Sequence, residues 1–269
     1  LHEAPQFAID THAHVFHREL KLAAGRRYAP DYNAPLSLYL RRLDQNGTTN
    51  GVLVQPSFLG TDNSYIVDCL KQAKGRLRGI AVLDPTISSH DMLTLDRAGV
   101  VGIRLNLVGQ KLPDLTAPEW KALLADLRSA NWQVEIQRSA SDLVCIVPRL
   151  LDAGVAVVLD HYTLPDPMLG VGDPAFQSIL QFGATGRVWV KMSAPYRNGP
   201  NGDAFARQAY PLLRASFGLD HLFWGSDWPH TQFERSETYA KNRRFLDELI
   251  TDADERARVL IAPRSLFRF

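Results

Sequence analysis

Short apolar runs alternate along the chain with stretches in which apolar residues recur every three or four positions. The runs at 7–14 (FAIDTHAH), 51–55 (GVLVQ), 79–83 (GIAVL), 101–107 (VGIRLNL), 133–137 (QVEIQ), 155–160 (VAVVLD), 187–193 (RVWVKMS) and 221–227 (HLFWGSD) read as strands. Between them, 36–46, 61–74, 89–98, 118–130, 141–153, 175–182 and 203–217 carry helical spacing, and 236–260 reads as two helices broken near 251–252. Thr61, Asp62 and Asn63 offer side chains to cap the second helix, and Gly47 ends the first. Strands that are apolar on both faces and alternate with amphipathic helices indicate a parallel sheet covered by helices. Eight such units favour a closed (β/α)8 TIM barrel over an open sheet, and no Gly-x-Gly-x-x-Gly follows the first strand. With no low-complexity segment and no linker, 1–269 is expected to form a single barrel domain. The one long polar loop, 16–35, is of a length associated with binding.

Composition narrows the partners. Lys and Arg number 30 against 29 Asp and Glu, a net charge of +1 that offers no attraction for nucleic acid or an acidic membrane. No apolar run is long enough to span a bilayer. Cys69 and Cys145 fall in predicted helices without paired spacing, so reduced thiols and a cytoplasmic setting are expected.

Candidate chemistry gathers at the strand ends, where barrels of this kind hold their active sites. His12 and His14 stand two apart in the first strand, about 6.5 to 7 Å between Cα atoms and facing the same way. Such a pair can share a metal ion or donate two hydrogen bonds to one oxyanion. The later strands contribute Gln55 and Ser57, Arg104 and Asn106, Glu135 and Gln137, His161, Lys191 and Ser193, and Asp227. Taken singly, His161 could be a satisfied strand-end histidine and Asp227 a turn cap; three histidines and an aspartate at the ends of strands one, six and eight favour a metal or hydrolytic site. Arg104, in an apolar strand, must meet an internal carboxylate or await that of a ligand; the ligand is favoured because a guanidinium suits bidentate carboxylate recognition. Lys191 reads as a rim lysine without a role, and Asp10 as a structural residue behind His12. His2, His17, His90 and His221 are left unassigned, and His230 stays in doubt.

The segments FAIDTHAHVF, LDH at 159–161 and GSDWPH at 225–230 resemble the amidohydrolase superfamily. VQPSFLGTDN, GIRLNLV and the RYAP of the first loop narrow the resemblance to its branch of pyrone-dicarboxylate lactonases and sugar lactonases, across most of the chain. The resemblance implies a (β/α)8 barrel that opens a lactone, with Asp227 as general base and His12, His14 and His161 polarising the carbonyl. It implies either no cofactor or one divalent ion, zinc or manganese, held by His12, His14, His161 and Asp227. With no lysine ending strand four and no histidine ending strand five, a binuclear centre is not expected. Tyr28, Ser57, Arg104 and Arg197 are implied as ring and carboxylate contacts. Gln110 and Gln137 stand where the branch has arginine and tyrosine, which suits a ligand with one carboxylate or a hydroxylated one. The expected partner is thus a small lactone or carboxylic acid, and no feature fixes which, nor the oligomeric state. Two competing readings are a mononuclear metal-dependent decarboxylase of an aromatic or unsaturated acid, and a binding barrel without chemistry.

Overall fold

The computed structural model describes residues 7–269. Its eight strands are β1 (Ile9–Ala13), β2 (Asn50–Val54), β3 (Leu77–Ala81), β4 (Val100–Asn106), β5 (Gln133–Gln137), β6 (Val157–Leu159), β7 (Val188–Ser193) and β8 (Leu222–Gly225), hydrogen-bonded in chain order and all parallel. The crossing helices are α1 (Leu36–Gln45), α2 (Ser64–Gln72), α3 (Ser89–Ala98), α4 (Pro118–Ser129), α5 (Ala140–Asp152), α6 (Pro174–Leu180) and α7 (Gly202–Phe217). After β8 come α8 (Tyr239–Leu249), α9 (Ala253–Ile261) and a short α10 (Pro263–Leu266) that the sequence pattern did not separate. No helix among the described residues is long and apolar enough to cross a membrane. Cys69 lies buried in α2 and Cys145 exposed in α5. His2 lies outside the described residues.

The sheet closes between β1 and the chain just past β8. Asp227 N–H donates to the His12 carbonyl at 2.8 Å, and His14 N–H to that of Trp228 at 2.7 Å. This seam brings the two-histidine strand beside the GSDWPH segment. Asp10 fastens it further by accepting from Ser226 N–H (2.8 Å), Ser226 Oγ (2.6 Å) and Tyr39 Oη (3.1 Å), which gives it the structural part expected of it. Burial pushes its carboxyl up to about 6. The pairing register slips between Asp10 and Ala13. Gly225 permits the close approach: a Cβ there would lie 2.7 Å from that of His12.

Two apolar cores result. The larger joins the outer strand faces to the helices, through residues such as Tyr39, Leu53, Trp132 and Phe176. The smaller gathers Ile9, Val52, Val54, Ile80, Val101 and Phe223 with Phe267 from the C-terminal segment. Since Val52 and Val54 alternate with Leu53 of the larger core, this second cluster fills the barrel interior. The histidines stand above it.

Candidate active site

At the carboxyl ends of the strands lies a small cleft, lined among others by His14, Arg27, Tyr28, Ser57, Arg104, Asn106, Gln137, His161, Arg197 and Asp227. Gln110, by contrast, is exposed on the loop after β4 and does not line it. A cation comes instead from the first loop: Arg27 Cδ lies 3.6 Å from where a Cβ on Gly109 would stand, and its Nη2 donates to Asn106 Oδ1 at 2.9 Å.

His12, His14 and His161 converge, with ring centroids 5.0 Å apart for His12–His14 and 4.8 Å for His12–His161. His161 belongs to the turn after β6 rather than to the strand. It has φ of +52°, the first of four consecutive left-handed residues. Asp227 is likewise left-handed, at +57°. Neither is glycine, and such strain is typical of residues whose side chains must be aimed.

Asp227 is almost wholly buried. Its Oδ2 accepts from Tyr196 Oη (2.7 Å) and Arg197 Nε (2.8 Å). Its Oδ1 has no partner and faces His12 Nε2 at 3.7 Å and His14 Nε2 at 3.8 Å. Burial alone would raise this carboxyl, but the Arg197 guanidinium, helped by the histidines, holds it well below the usual carboxylate range. Desolvation in turn lowers the histidines, His14 to about 4 and His161 to about 3. At neutral pH the site therefore presents neutral imidazoles beside an ionised Asp227.

The second nitrogen of each ring is engaged. His14 Nδ1 lies 2.7 Å from the Val54 carbonyl, which can only accept, so the proton sits on Nδ1 and the Nε2 lone pair faces the cleft. His161 Nδ1 meets Ser193 Oγ at 2.9 Å. Tyr196 Oη, which donates to Asp227, stands 3.1 Å from His230 Nδ1 and so accepts from it. His230 thus supports Asp227 through Tyr196.

Four buried charges lie beneath the histidines. Lys191, read from sequence as a rim lysine, is fully buried: its Nζ contacts Glu135 Oε2 at 2.6 Å, His12 Nδ1 at 3.1 Å and Asp160 Oδ1 at 3.5 Å. An amine in the barrel interior needs such partners, whereas a rim position would not. Arg104 meets an internal carboxylate after all, Asp160 Oδ2 at 3.0 Å, and donates through Nη2 to Gln137 Oε1 at 2.7 Å while still lining the cleft. Asp160 and Glu135 were given no role from the sequence, although Glu135 stood among the polar strand-end residues, and Tyr196 was not singled out. The signal for the first two was present, since carboxylates and a lysine inside apolar strands require one another. Tyr28 donates to Glu234 at 3.1 Å. Gln55 is buried but turned away, donating to the carbonyls of Gly60 and Asp62 to hold the loop after β2.

Among the described residues, two sets have donor atoms within 4.8 Å of one another, the spacing one metal ion requires: His12, His14 and Asp227, and His12, Asp160 and His161. Both sets need a lone pair from His12.

The profile of the Amidohydrolase family matches residues 9–269. A 2-pyrone-4,6-dicarboxylate hydrolase of Comamonas testosteroni is 35% identical over 84% of this chain and 78% of its own length. Two solved structures are similar throughout. A probable 2-pyrone-4,6-dicarboxylic acid hydrolase of Acinetobacter baumannii with citric acid bound is 40% identical, covering 97% of this chain and 99% of that one with a TM-score of 0.94. A hydrolase of Pseudomonas putida described by the same activity is 43% identical, covering 98% of each chain at 0.92. A 2,6-dihydroxybenzoate decarboxylase from Rhizobium shares the fold alone, at 14% identity, 98% and 99% coverage and 0.68. The chain belongs to the amidohydrolase family.

Proposed function

We propose that this chain, acting as a single catalytic domain, hydrolyses a small lactone bearing a carboxylate, with a polyhydroxylated lactone as the variant of the same reading. One observation carries it: Asp227, ionised and lining a cleft where Arg27, Arg104 and Arg197 converge, keeps a free Oδ1, with the unpartnered Nε2 of the buried His12 3.7 Å behind it. A carbonyl oxygen placed at His12 Nε2 would receive a hydrogen bond that strengthens as the oxyanion forms. Water between Oδ1 and the carbonyl carbon loses its proton to Asp227, aided by the His14 Nε2 lone pair. The hydroxide adds to the carbonyl, the acyl C–O bond breaks, and the ring oxygen leaves as a hydroxyl or enol on taking up the proton that Asp227 received from the water. His161, fixed by Ser193, closes the third side. Arg104, Arg197, Arg27, Tyr28, Ser57 and Gln137 hold the ligand; Gln110, exposed, is left without that part. The relatives named as 2-pyrone-4,6-dicarboxylate hydrolases, a pyrone ring being a lactone, support this reading over decarboxylation, and the citric acid held by one of them is itself a polycarboxylate.

None of these steps requires a metal. An ion at the histidine cluster would rest on His14 Nε2 and Asp227 Oδ1, and would act as a Lewis acid on the carbonyl. Two free cysteines support a reducing, cytoplasmic setting.

The test pairs ring opening of 2-pyrone-4,6-dicarboxylate, followed by loss of pyrone absorbance, with elemental analysis before and after chelation. Asp227→Asn is expected to lower kcat by roughly 10³-fold while sparing ligand binding. Unchanged turnover in that variant would remove Asp227 from the chemistry. Release of carbon dioxide with loss of activity on metal removal would replace hydrolysis by decarboxylation.

A further inference from the structure

The histidine whose protonation matters most is the one with the least obvious partner. His12 Nδ1 faces two groups at once, Lys191 Nζ at 3.1 Å and Asp160 Oδ1 at 3.4 Å, and these ask for opposite things. The carboxylate would accept a proton from Nδ1; an ammonium has three protons and no lone pair, so it can only donate to it. Lys191 has three neighbours for its three protons, Glu135 Oε2, His12 Nδ1 and Asp160 Oδ1. A proton on His12 Nδ1 would set two N–H groups against each other at 3.1 Å. Asp160 is meanwhile engaged through Oδ2 by Arg104. Only with the His12 proton on Nε2 does the ammonium meet a lone pair at Nδ1 while its charge still faces Glu135 and Asp160.

We propose that Lys191 is a positioning residue that donates to His12 Nδ1 and so confines the His12 proton to Nε2, making His12 a hydrogen-bond donor toward the reacting carbonyl and a poor metal ligand. The adjacent histidine is set the other way, since His14 Nδ1 gives its proton to Val54. One strand thus presents a donor and an acceptor side by side, from two residues that look equivalent in sequence. Metal-binding histidines normally direct Nδ1–H to a carbonyl or carboxylate; His14 does so and His12 does not. Both triads spaced for an ion lose a ligand for this reason. The inference deepens the lactonase reading, but its central claim, the His12 tautomer, is measurable without substrate.

The experiment is long-range 1H–15N correlation on histidine-labelled full-length protein, with His12 assigned by its absence in His12→Gln. In the wild type, His12 should show a protonated Nε2 and an unprotonated, accepting Nδ1. In the double variant Lys191→Met/Glu135→Gln, which removes the ammonium without stranding its carboxylate, the His12 proton should move to Nδ1 and point at Asp160. With it, kcat for lactone opening should fall roughly 100-fold with little change in KM. Zinc alone, titrated calorimetrically, should bind about tenfold or more tightly than to the wild type. A wild-type His12 protonated on Nδ1 overturns the proposal even if the variant does not fold, and so does a folded variant that keeps Nε2–H. If the tautomer and its shift are as stated but the wild type opens no lactone, the functional reading fails and the role of Lys191 stands.

Discussion

The interior of this barrel holds two layers built on the same strands. Below, Ile9, Val52, Ile80, Val101 and Phe223 close on Phe267 as an apolar cluster. Above, His12, Arg104, Glu135, Asp160 and Lys191 are as deeply buried, yet nearly all are charged or hydrogen-bonding. The lower layer is stabilised by leaving water, about 1.5 to 3 kcal/mol for each large side chain. For the upper one, desolvating a single ion costs several kcal/mol, which only close pairing offsets. Its charges accordingly come in balanced sets, with Lys191 and Arg104 against Glu135 and Asp160, and Arg197 against Asp227. Stability is concentrated in one layer and chemistry in the other.

Breaking the lower layer should therefore affect only folding. Phe267 is fully buried, its ring centroid 5.6 Å from that of Phe223. Phe267→Ala should destabilise the protein by about 3 to 5 kcal/mol, read from chemical denaturation, while kcat per folded molecule stays at the wild-type value. A comparable loss of kcat at temperatures where the variant is folded would show that the layers are coupled.

Acid should act on the upper layer alone. His14, held by burial at about 4, binds its proton less readily folded than in the unfolded chain, where the ordinary value is about 6.5. The unfolded state thus takes up more protons between these values, so the stability is complete above about pH 6.5 and is lost as pH falls toward 4. His14 alone should contribute roughly 3 kcal/mol to that loss. His161, at about 3, extends it to lower pH. Denaturation midpoints measured across this range in the wild type and in His14→Gln should diverge above pH 6 and converge near 4; parallel curves would mean that His14 is not held neutral by the fold.

How far each layer could be read from the sequence follows from the same difference. Alternating apolar runs and helical spacing suffice for eight β/α units, because the lower layer and the helix packing need only hydrophobicity at the right period. His12, His14, His161 and Asp227 were also legible, as polar residues at the ends of apolar strands. Their partners were less so. Glu135, Asp160 and Lys191 pair across β5, the end of β6 and β7, distances of 31 residues and more along the chain, and nothing local marks them as a set. The reasoning applied to Arg104, that a charge in an apolar strand must find a partner, holds equally for Lys191 and would have placed it inside. Gln110 shows the opposite failure. Position along the chain suggested a ligand contact, but the loop carries that residue outward, and Arg27, some 80 residues earlier, takes the space.

Arg27 sharpens the comparison, because it lies at the edge of the charged layer rather than within it. It is exposed and donates to Asn106, and partial desolvation, with the charges of Arg104 and Arg197 also lining the cleft, lowers its own affinity for a proton. Among the described residues, a cation in that position has no internal carboxylate to satisfy it, unlike Arg104 with Asp160 and Arg197 with Asp227. It is thus the guanidinium free to meet a carboxylate on the ligand at a distance from the reacting carbonyl. Because the site is open to solvent, the contact should be worth only about 1 kcal/mol and be screened by salt. Arg27→Gln should raise KM for a dicarboxylated lactone about fivefold at low ionic strength with kcat unchanged, and the difference should shrink in 0.5 M salt. A monocarboxylated lactone held by Arg104 and Arg197 should be indifferent to the substitution. Equal effects on both substrates would mean that Arg27 shapes the loop rather than reading the second charge.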